Sequence, residues 1–242
     1  RLTLEGAEVP CVAEILPYPS GLARNVSQCL DDFGIPLLLS TTVVEIHGTD
    51  RITGATLAQI GPRGGILHKT KRYVACDTLM LSVGLIPENE LAKKAGVALS
   101  PITGGPVVDE NFQTSLPGIF AAGNALQVHD LVDYVSLEAE KAGHSAATYA
   151  DAGKLPPSDI KVQPGKGIRY VVPQDVSGAE SVYFSMRVQA PDRDRYIVFR
   201  RGGQVIRRLK QTVLAPSSMM RVRLRADRLR KGQGDLTVEV GE

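Results

Sequence analysis

From residue 168 onward the apolar residues fall on every second position, and this periodicity limits the C-terminal third to pleated strands. Val182, Phe184, Met186 and Val188 share one face while Tyr183, Ser185 and Arg187 share the other. Met220, Val222 and Leu224 alternate with Arg221, Arg223 and Arg225, and Leu236, Val238 and Val240 alternate with Thr237 and Glu239. Gly202-Gly203 is a hairpin turn signal between Tyr196–Phe199 and Gln204–Leu209. Several short strands in this stretch predict a small all-β sandwich over residues 168–242. Residues 151–167, with Gly153, Pro156, Pro157, Pro164 and Gly165, read as a linker.

The preceding part has the texture of an α/β protein. Val9–Ile15 is a short apolar run followed by a Pro-rich turn. Ser20 can cap a helix whose Val26, Cys29, Leu30 and Phe33 form one apolar face. Ile35–Leu39 is a buried-strand candidate. Val43–His47, Ile52–Ile60 and Ile66–Val74 are separated by turn residues and predict an antiparallel meander. Asp77–Val83 reads as a continuous apolar strand closing on Gly84, followed by a short helix over Glu90–Ala95. Pro106–Asp109 and Ile119–Ala122 are further strand candidates. A helix from about Asp130 to Ala150 carries Val135, Ala139, Ala142, Gly143 and Ala146 on one face.

Composition excludes several classes. At 43% hydrophobic and 22% charged, the 242 residues suit a globular chain with a sizeable core rather than disorder. No apolar run reaches the roughly 18 residues of a membrane span, and no signal segment is evident. Three widely spaced cysteines, Cys11, Cys29 and Cys76, form no disulfide framework or metal motif, which suggests a reducing, cytoplasmic setting. Charge is uneven. Residues 1–157 hold 11 Lys/Arg against 17 Asp/Glu, and residues 158–242 hold 17 against 9. The face Arg221, Arg223, Arg225, Arg228, Arg230 and Lys231 reads first as a solvated strand face. Docking on an acidic surface comes second, and nucleic acid third, since no nucleic-acid motif accompanies it.

Two segments could carry chemistry. Thr114-Ser115-Leu116-Pro117-Gly118-Ile119-Phe120-Ala121-Ala122-Gly123-Asn124 reads as a strand delivering a glycine and a polar residue to the start of a helix. In an open α/β sheet this is where ligands bind. Gly123 lets backbone approach a ligand, Asn124 offers a donor and an acceptor, and the following helix aims its N-terminus there. The second segment is Cys76-Asp77-Thr78-Leu79-Met80-Leu81-Ser82-Val83-Gly84-Leu85-Ile86-Pro87-Glu88-Asn89.

Together they resemble motifs of the pyridine nucleotide–disulfide oxidoreductase superfamily, over roughly residues 1–150. Gly84 and Pro87 are similar to the turn returning from the NAD(P) domain to the FAD domain. Thr114, Gly118, Ile119, Phe120, Ala121 and Gly123 match the motif that contacts the FAD ribitol. Asn124 stands where the family usually has Asp; it can bond a hydroxyl but brings no charge. The wording of residues 81–91 and 128–134 resembles FAD-dependent oxidoreductases associated with anaerobic glycerol-3-phosphate dehydrogenase-like proteins.

The resemblance implies a partial, Rossmann-like two-dinucleotide-binding-domain flavoprotein. Residues 1–83 would be the remainder of the NAD(P)-binding domain and 84–150 the C-terminal part of the FAD-binding domain. Ala122, Gly123, Asn124, His129 and Asp130 would border FAD, and Gly84 and Glu14 would border the nicotinamide nucleotide. Glu14, at a strand end, suits an adenosine ribose as well as it suits solvent. His129 could bond the cofactor or transfer a proton, the alternative being a capping or surface histidine. Asp130 and Asp133 suit the helix macrodipole.

Neither glycine-rich pyrophosphate loop of that family is present in these residues. The chain is therefore expected to be the C-terminal portion of a longer enzyme whose N-terminal FAD-binding segment completes it. No catalytic residue or metal site is assignable. The alternative is a non-catalytic assembly piece, with the β domain docking a dehydrogenase subunit or a second copy.

Overall fold

The computed structural model describes residues 1–242 and divides between Val83 and Gly84 into two units. In the first, strands β1 (Val12–Ala13) and β2 (Leu37–Leu38) pair in parallel, with helix α1 (Ala23–Cys29) between them in sequence. The apolar stripe expected to continue to Phe33 breaks after Cys29 into a 3-10 turn over Asp31–Phe33, and Ser20 makes no cap because the helix starts after Leu22.

The meander forms as expected. Strands β3 (Thr41–His47), β4 (Gly54–Gln59) and β5 (Arg72–Ala75) are antiparallel, with β4 central and buried from Gly54 to Ala58. Gly54 is glycine because a Cβ there would lie 2.3 Å from the Tyr73 ring. His47 is structural: its Nε2 lies 2.6 Å from Thr56 Oγ1 and its ring meets Tyr73 edge-on.

The expected strand over Asp77–Val83 is absent. The segment has no neighbouring strand to satisfy its backbone, so it runs extended in solvent, with Val83 91% exposed. Composition alone cannot supply a pairing partner.

In the second unit, helix α2 (Glu90–Lys94) precedes a stretch of isolated bridges that joins Leu99 to Pro106, Val108 to Thr114 and Gln113 to Phe120. The strands expected at Pro106–Asp109 and Ile119–Ala122 are thus single bridges rather than ladders. Helix α3 (Val132–Ala152) follows. Its buried face is Glu138, Ala142 and Ser145, whereas Ala139 and Gly143, expected to face inward, are exposed. The buried positions obey helical spacing, but small residues all round the helix conceal which stripe is inner.

The segment 151–167 does not behave as a linker throughout. Strand β6 (Ile160–Pro164) buries Ile160 and Val162 and pairs in parallel with the last strand. It is followed by β7 (Ile168–Val172), β8 (Asp175–Val176), β9 (Val182–Val188), β10 (Asp192–Arg201), β11 (Gln204–Leu214), β12 (Met220–Leu224), the short helix α4 (Ala226–Leu229) and β13 (Leu236–Gly241). One sheet has the order β11-β10-β13-β6-β8 and the other β12-β9-β7. Apolar side chains from both sheets, including Phe184, Phe199, Leu224 and Leu236, make one core. Phe184 and Phe199 have ring centroids 5.8 Å apart.

The outward side of β7 is not solvated. Tyr170 and Val172 join Val108 and Leu126 in a second cluster, with Phe112 and Ala121 packed against it. Gln174 donates its backbone N–H to Val108 O, and its Oε1 accepts the Val108 N–H, each at 2.9 Å. Part of the arginine-rich face is covered in the same way. The Arg221 guanidinium lies 4.4 Å from the Tyr183 ring centroid and 5.4 Å from that of Tyr134 on α3. Arg221 therefore lies against aromatic rings, an arrangement that neither the solvated reading nor docking on an acidic surface describes.

Candidate functional site

The two motif segments converge. A cleft of about 570 Å³ is lined by Glu88, Asn89, Thr114, Phe120, Ala122 and Ala125, among others. Asn89 binds its walls together: its Nδ2 donates to Gly104 O at 2.9 Å and to Ala125 O at 2.7 Å. The two strands of backbone cross so closely that a Cβ on Gly105 would lie 1.8 Å from the Leu126 carbonyl oxygen. The pairing of Asn89 with two carbonyls was not legible from its place in a Pro-Glu-Asn turn.

The residues that lead into the cleft each have a local reason. Gly118 has φ +80°, and a Cβ there would lie 3.0 Å from the Tyr149 ring, which also meets Phe120 edge-on. Phe112 is held at φ +60°, an uncommon conformation for a bulky residue, and its carbonyl accepts the Ala121 N–H at 3.0 Å. Asp109 closes this turn, with Oδ1 accepting the N–H groups of Asn111 and Gln113. Burial raises the Asp109 carboxyl above the usual carboxylate range against the opposing effect of those bonds, and nearby Asp175 adds to the rise.

Ala122 ends the extended stretch and Gly123 begins a 3-10 turn over Gly123–Ala125. Gly123 is buried with φ +68°, and an added Cβ would stand 3.2 Å from Val135 Cγ1. The expectation that Gly123 opens its backbone to a ligand fails: the glycine is required by the backbone angle and by α3 packing over it. The Gly123 N–H donates to Glu138 Oε2 at 2.9 Å, while Glu138 Oε1 accepts from Gln127 Nε2 at 2.7 Å. Asn124 is exposed, and its Oδ1 accepts the His129 N–H at 3.1 Å, leaving its amide nitrogen free of protein partners.

The His129 and Asp130 side chains are directed into the protein. His129 is 2% exposed, with Nε2 3.2 Å from Glu138 Oε1; the approach is not aligned as a hydrogen bond, so both ring nitrogens lack a hydrogen-bond partner. The Asp130 carboxylate is held by Arg187 of β9 and by the Met219 N–H. Beyond it, no side chain caps the start of α3, and Val132 is exposed.

In the first unit, Glu14 follows β1 directly. Its Oε1 accepts the Leu16 N–H at 2.9 Å, and its Oε2 accepts the Ser20 N–H at 3.2 Å and the Ser20 hydroxyl. Burial opposes ionisation, but these bonds, led by the Ser20 hydroxyl, outweigh it and hold the Glu14 carboxyl below the usual range. Gly84 has φ +93° and open space around it.

Sequence reasoning missed Glu138, although the signal was present: it lies three residues after Val135 and four before Ala142, on the inner face by helical arithmetic. No group of three or more His, Cys, Asp or Glu gathers that could hold a metal ion. No helix is long and apolar enough to cross a membrane.

For FAD, the residues fit one end of the molecule. The exposed Asn124 amide, next in sequence to Ala125 of the cleft wall, and the uncapped α3 start both offer donors to hydroxyl and carbonyl oxygens. A glycine-rich loop for the pyrophosphate is not among these residues.

Parts of the chain are similar to known proteins. The chain is 30% identical over 114 residues to the nitric oxide reductase FlRd-NAD(+) reductase of Salmonella schwarzengrund (strain CVM19633), an alignment covering 47% of this chain and 26% of that one. The protein of the same name from Salmonella agona (strain SL483) matches at 30% over the same length. The chain spans about a quarter of the length of these relatives. Among solved structures, T. acidophilum thioredoxin reductase superposes with a TM-score of 0.49 at 26% identity, covering 60% of this chain and 45% of that one. The family profile of pyridine nucleotide-disulphide oxidoreductases matches residues 6–150, and the chain belongs to that family.

Proposed function

We propose that this chain forms the C-terminal portion of a flavin-dependent oxidoreductase that transfers hydride between NAD(P)H and FAD. Members of the family use FAD and NAD(P)H. The observation that carries the reading is the meeting of the Pro87-Glu88-Asn89 turn and the Phe120–Gly123 segment at one cleft, pinned by Asn89.

When bound, FAD supplies the two-electron chemistry, and the protein supplies position and electrostatics. Ala122 and Asn124 would border the ribitol, with the Asn124 amide as donor and the buried Gly123 shaping the turn between them. The amide end of α3 favours negative charge placed before it, as on a reduced flavin ring. Asp130 would act on the site from behind, by holding the backbone between Asn124 and α3, with the buried His129 side chain packed beside it. Glu14, kept ionised by Ser20 and the Leu16 amide, would accept hydrogen bonds from an adenosine ribose and repel a 2′-phosphate, favouring NAD over NADP.

The exposed apolar run through Met80, Leu81 and Val83 supports a larger parent protein, because such a strand-like segment gains by pairing with further backbone. On this reading the 242 residues alone hold FAD weakly. Titration of FAD into the chain and into the longer protein that contains it tests the proposal. Stoichiometric uptake and NADH-driven bleaching are expected only in the longer form, and a longer form that stays colourless would refute it.

A further inference from the structure

The least expected contact between the β domain and the cofactor-side segment is made by a single arginine. Arg187 sits one residue before the end of β9, its side chain 13% exposed, on the outward side of its sheet. It makes four hydrogen bonds to four different places. Its Nη2 donates to Asp130 Oδ1 at 2.5 Å and to Val128 O at 3.1 Å, its Nη1 to Pro216 O at 3.1 Å, and its Nε to the Tyr170 hydroxyl at 3.2 Å. The other carboxylate oxygen of Asp130 accepts the Met219 N–H at 2.5 Å. Both oxygens of Asp130 are therefore held by the β domain.

What is held matters. Val128 and Asp130 lie on the short path between Asn124 and the first turn of α3, whose other end is fixed by Glu138 to the Gly123 amide. One end is anchored by the helix itself and the other by a strand some sixty residues further along the chain. A guanidinium is suited to this, because its planar fork addresses several acceptors at fixed angles and is weakly hydrated. Burial alone would weaken the Arg187 charge, but the Asp130 carboxylate and the Tyr170 hydroxyl oxygen more than compensate, so the group stays charged.

We propose that Arg187 is a positioning residue: from the C-terminal β domain it fixes the Asn124–Leu131 path against which FAD lies, so that a domain touching no flavin sets flavin affinity. This rests on the flavin reading above. It gives the β domain a role in cofactor binding distinct from assembly.

The test has two parts. In the 242-residue chain, hydrogen exchange of the amides of residues 123–131 is compared among wild type, Arg187→Met and Arg187→Lys. The Met variant is expected to exchange there at least tenfold faster, with the Phe184 and Phe199 core amides changing less than twofold. The Lys variant, which keeps the charge opposite Asp130 but loses the fork, is expected to fall between. In the FAD-loaded longer protein, the Met variant is expected to lower FAD affinity at least tenfold and shift the flavin absorption band, and the Lys variant to recover part of both. Should Arg187→Met fail to fold, Asp130→Asn is read by the same two measurements with the same local loosening expected. Unchanged exchange at 123–131, or loosening that spreads equally through the core, overturns the positioning role. Wild-type longer protein that takes up no FAD overturns the flavin reading and this proposal together, whereas normal FAD uptake with unchanged affinity in every variant overturns this proposal alone.

Discussion

The Glu138 carboxylate accepts the backbone N–H of Gly123, fifteen residues earlier, at 2.9 Å in a buried setting. The same group holds Gln127, which is fully buried. Glu138→Ala leaves both donors without their acceptor, and hydrogen bonds to a charged group contribute roughly 1.5–3 kcal/mol each. The expected loss is at least about 2 kcal/mol of unfolding free energy by urea denaturation. Glu138→Gln, which keeps one acceptor oxygen, should lose less than Ala. Equal stability of both variants and wild type would contradict the placement of the carboxylate.

Gly123 separates two effects. Its left-handed φ alone costs an L-residue about 1–2 kcal/mol, and the Val135 methyl stands 3.2 Å from where a Cβ would be. Gly123→Ala should therefore destabilise by more than the backbone share. Adding Val135→Ala should restore only the steric share. A double-mutant cycle with no coupling between positions 123 and 135 would show that α3 does not pack over the glycine.

Asn89 holds two carbonyls that belong to different loops, Gly104 and Ala125. Asn89→Ala removes both bonds, at a cost of roughly 1–2 kcal/mol. Asn89→Asp should be worse, since a carboxylate facing two carbonyl oxygens repels them. Thermal unfolding of the three proteins gives the order, and an Asp variant as stable as wild type would rule out this donor geometry.

Glu14 predicts a pH dependence with a definite sign. Its folded carboxyl titrates below the usual range, so the stabilisation is complete above the unfolded value and disappears as pH falls through the lower folded one. An NMR titration following the Leu16 and Ser20 amides should give a midpoint below that of an exposed glutamate. Ser20→Ala should move it upward. A midpoint at or above the ordinary value would remove the argument that Glu14 stays ionised for a ribose.

Much of this was legible in the residues. Alternation at Val182–Val188, Met220–Leu224 and Leu236–Val240 identifies strands because each has a polar face and an apolar one, and the meander was marked by its turns. The family motif brought attention to the segments that line the cleft. What failed did so for lack of a partner. Asp77–Val83 has the composition of a strand and no ladder to join, and Ile160–Val162 hides in a Pro-rich stretch because its parallel partner β13 arrives some seventy residues later. Two of the site's supports, Asn89 and Arg187, were invisible for a related reason, while Glu138 was legible only from its helical spacing. Each is a polar residue whose partners are distant in sequence, and hydropathy marks such a residue as exposed.

The central claim is that these residues form the sugar-alcohol and ring end of an FAD site. It is tested most directly by the absorption spectrum of the longer protein purified with wild-type Asn124 and with Asn124→Leu, each titrated with FAD. The account predicts a yellow wild-type protein with one FAD per chain, bleached by NADH, and a Leu variant that folds normally but binds FAD at least tenfold more weakly. A wild-type protein without flavin absorption, or a Leu variant indistinguishable from it in affinity and spectrum, would contradict the account.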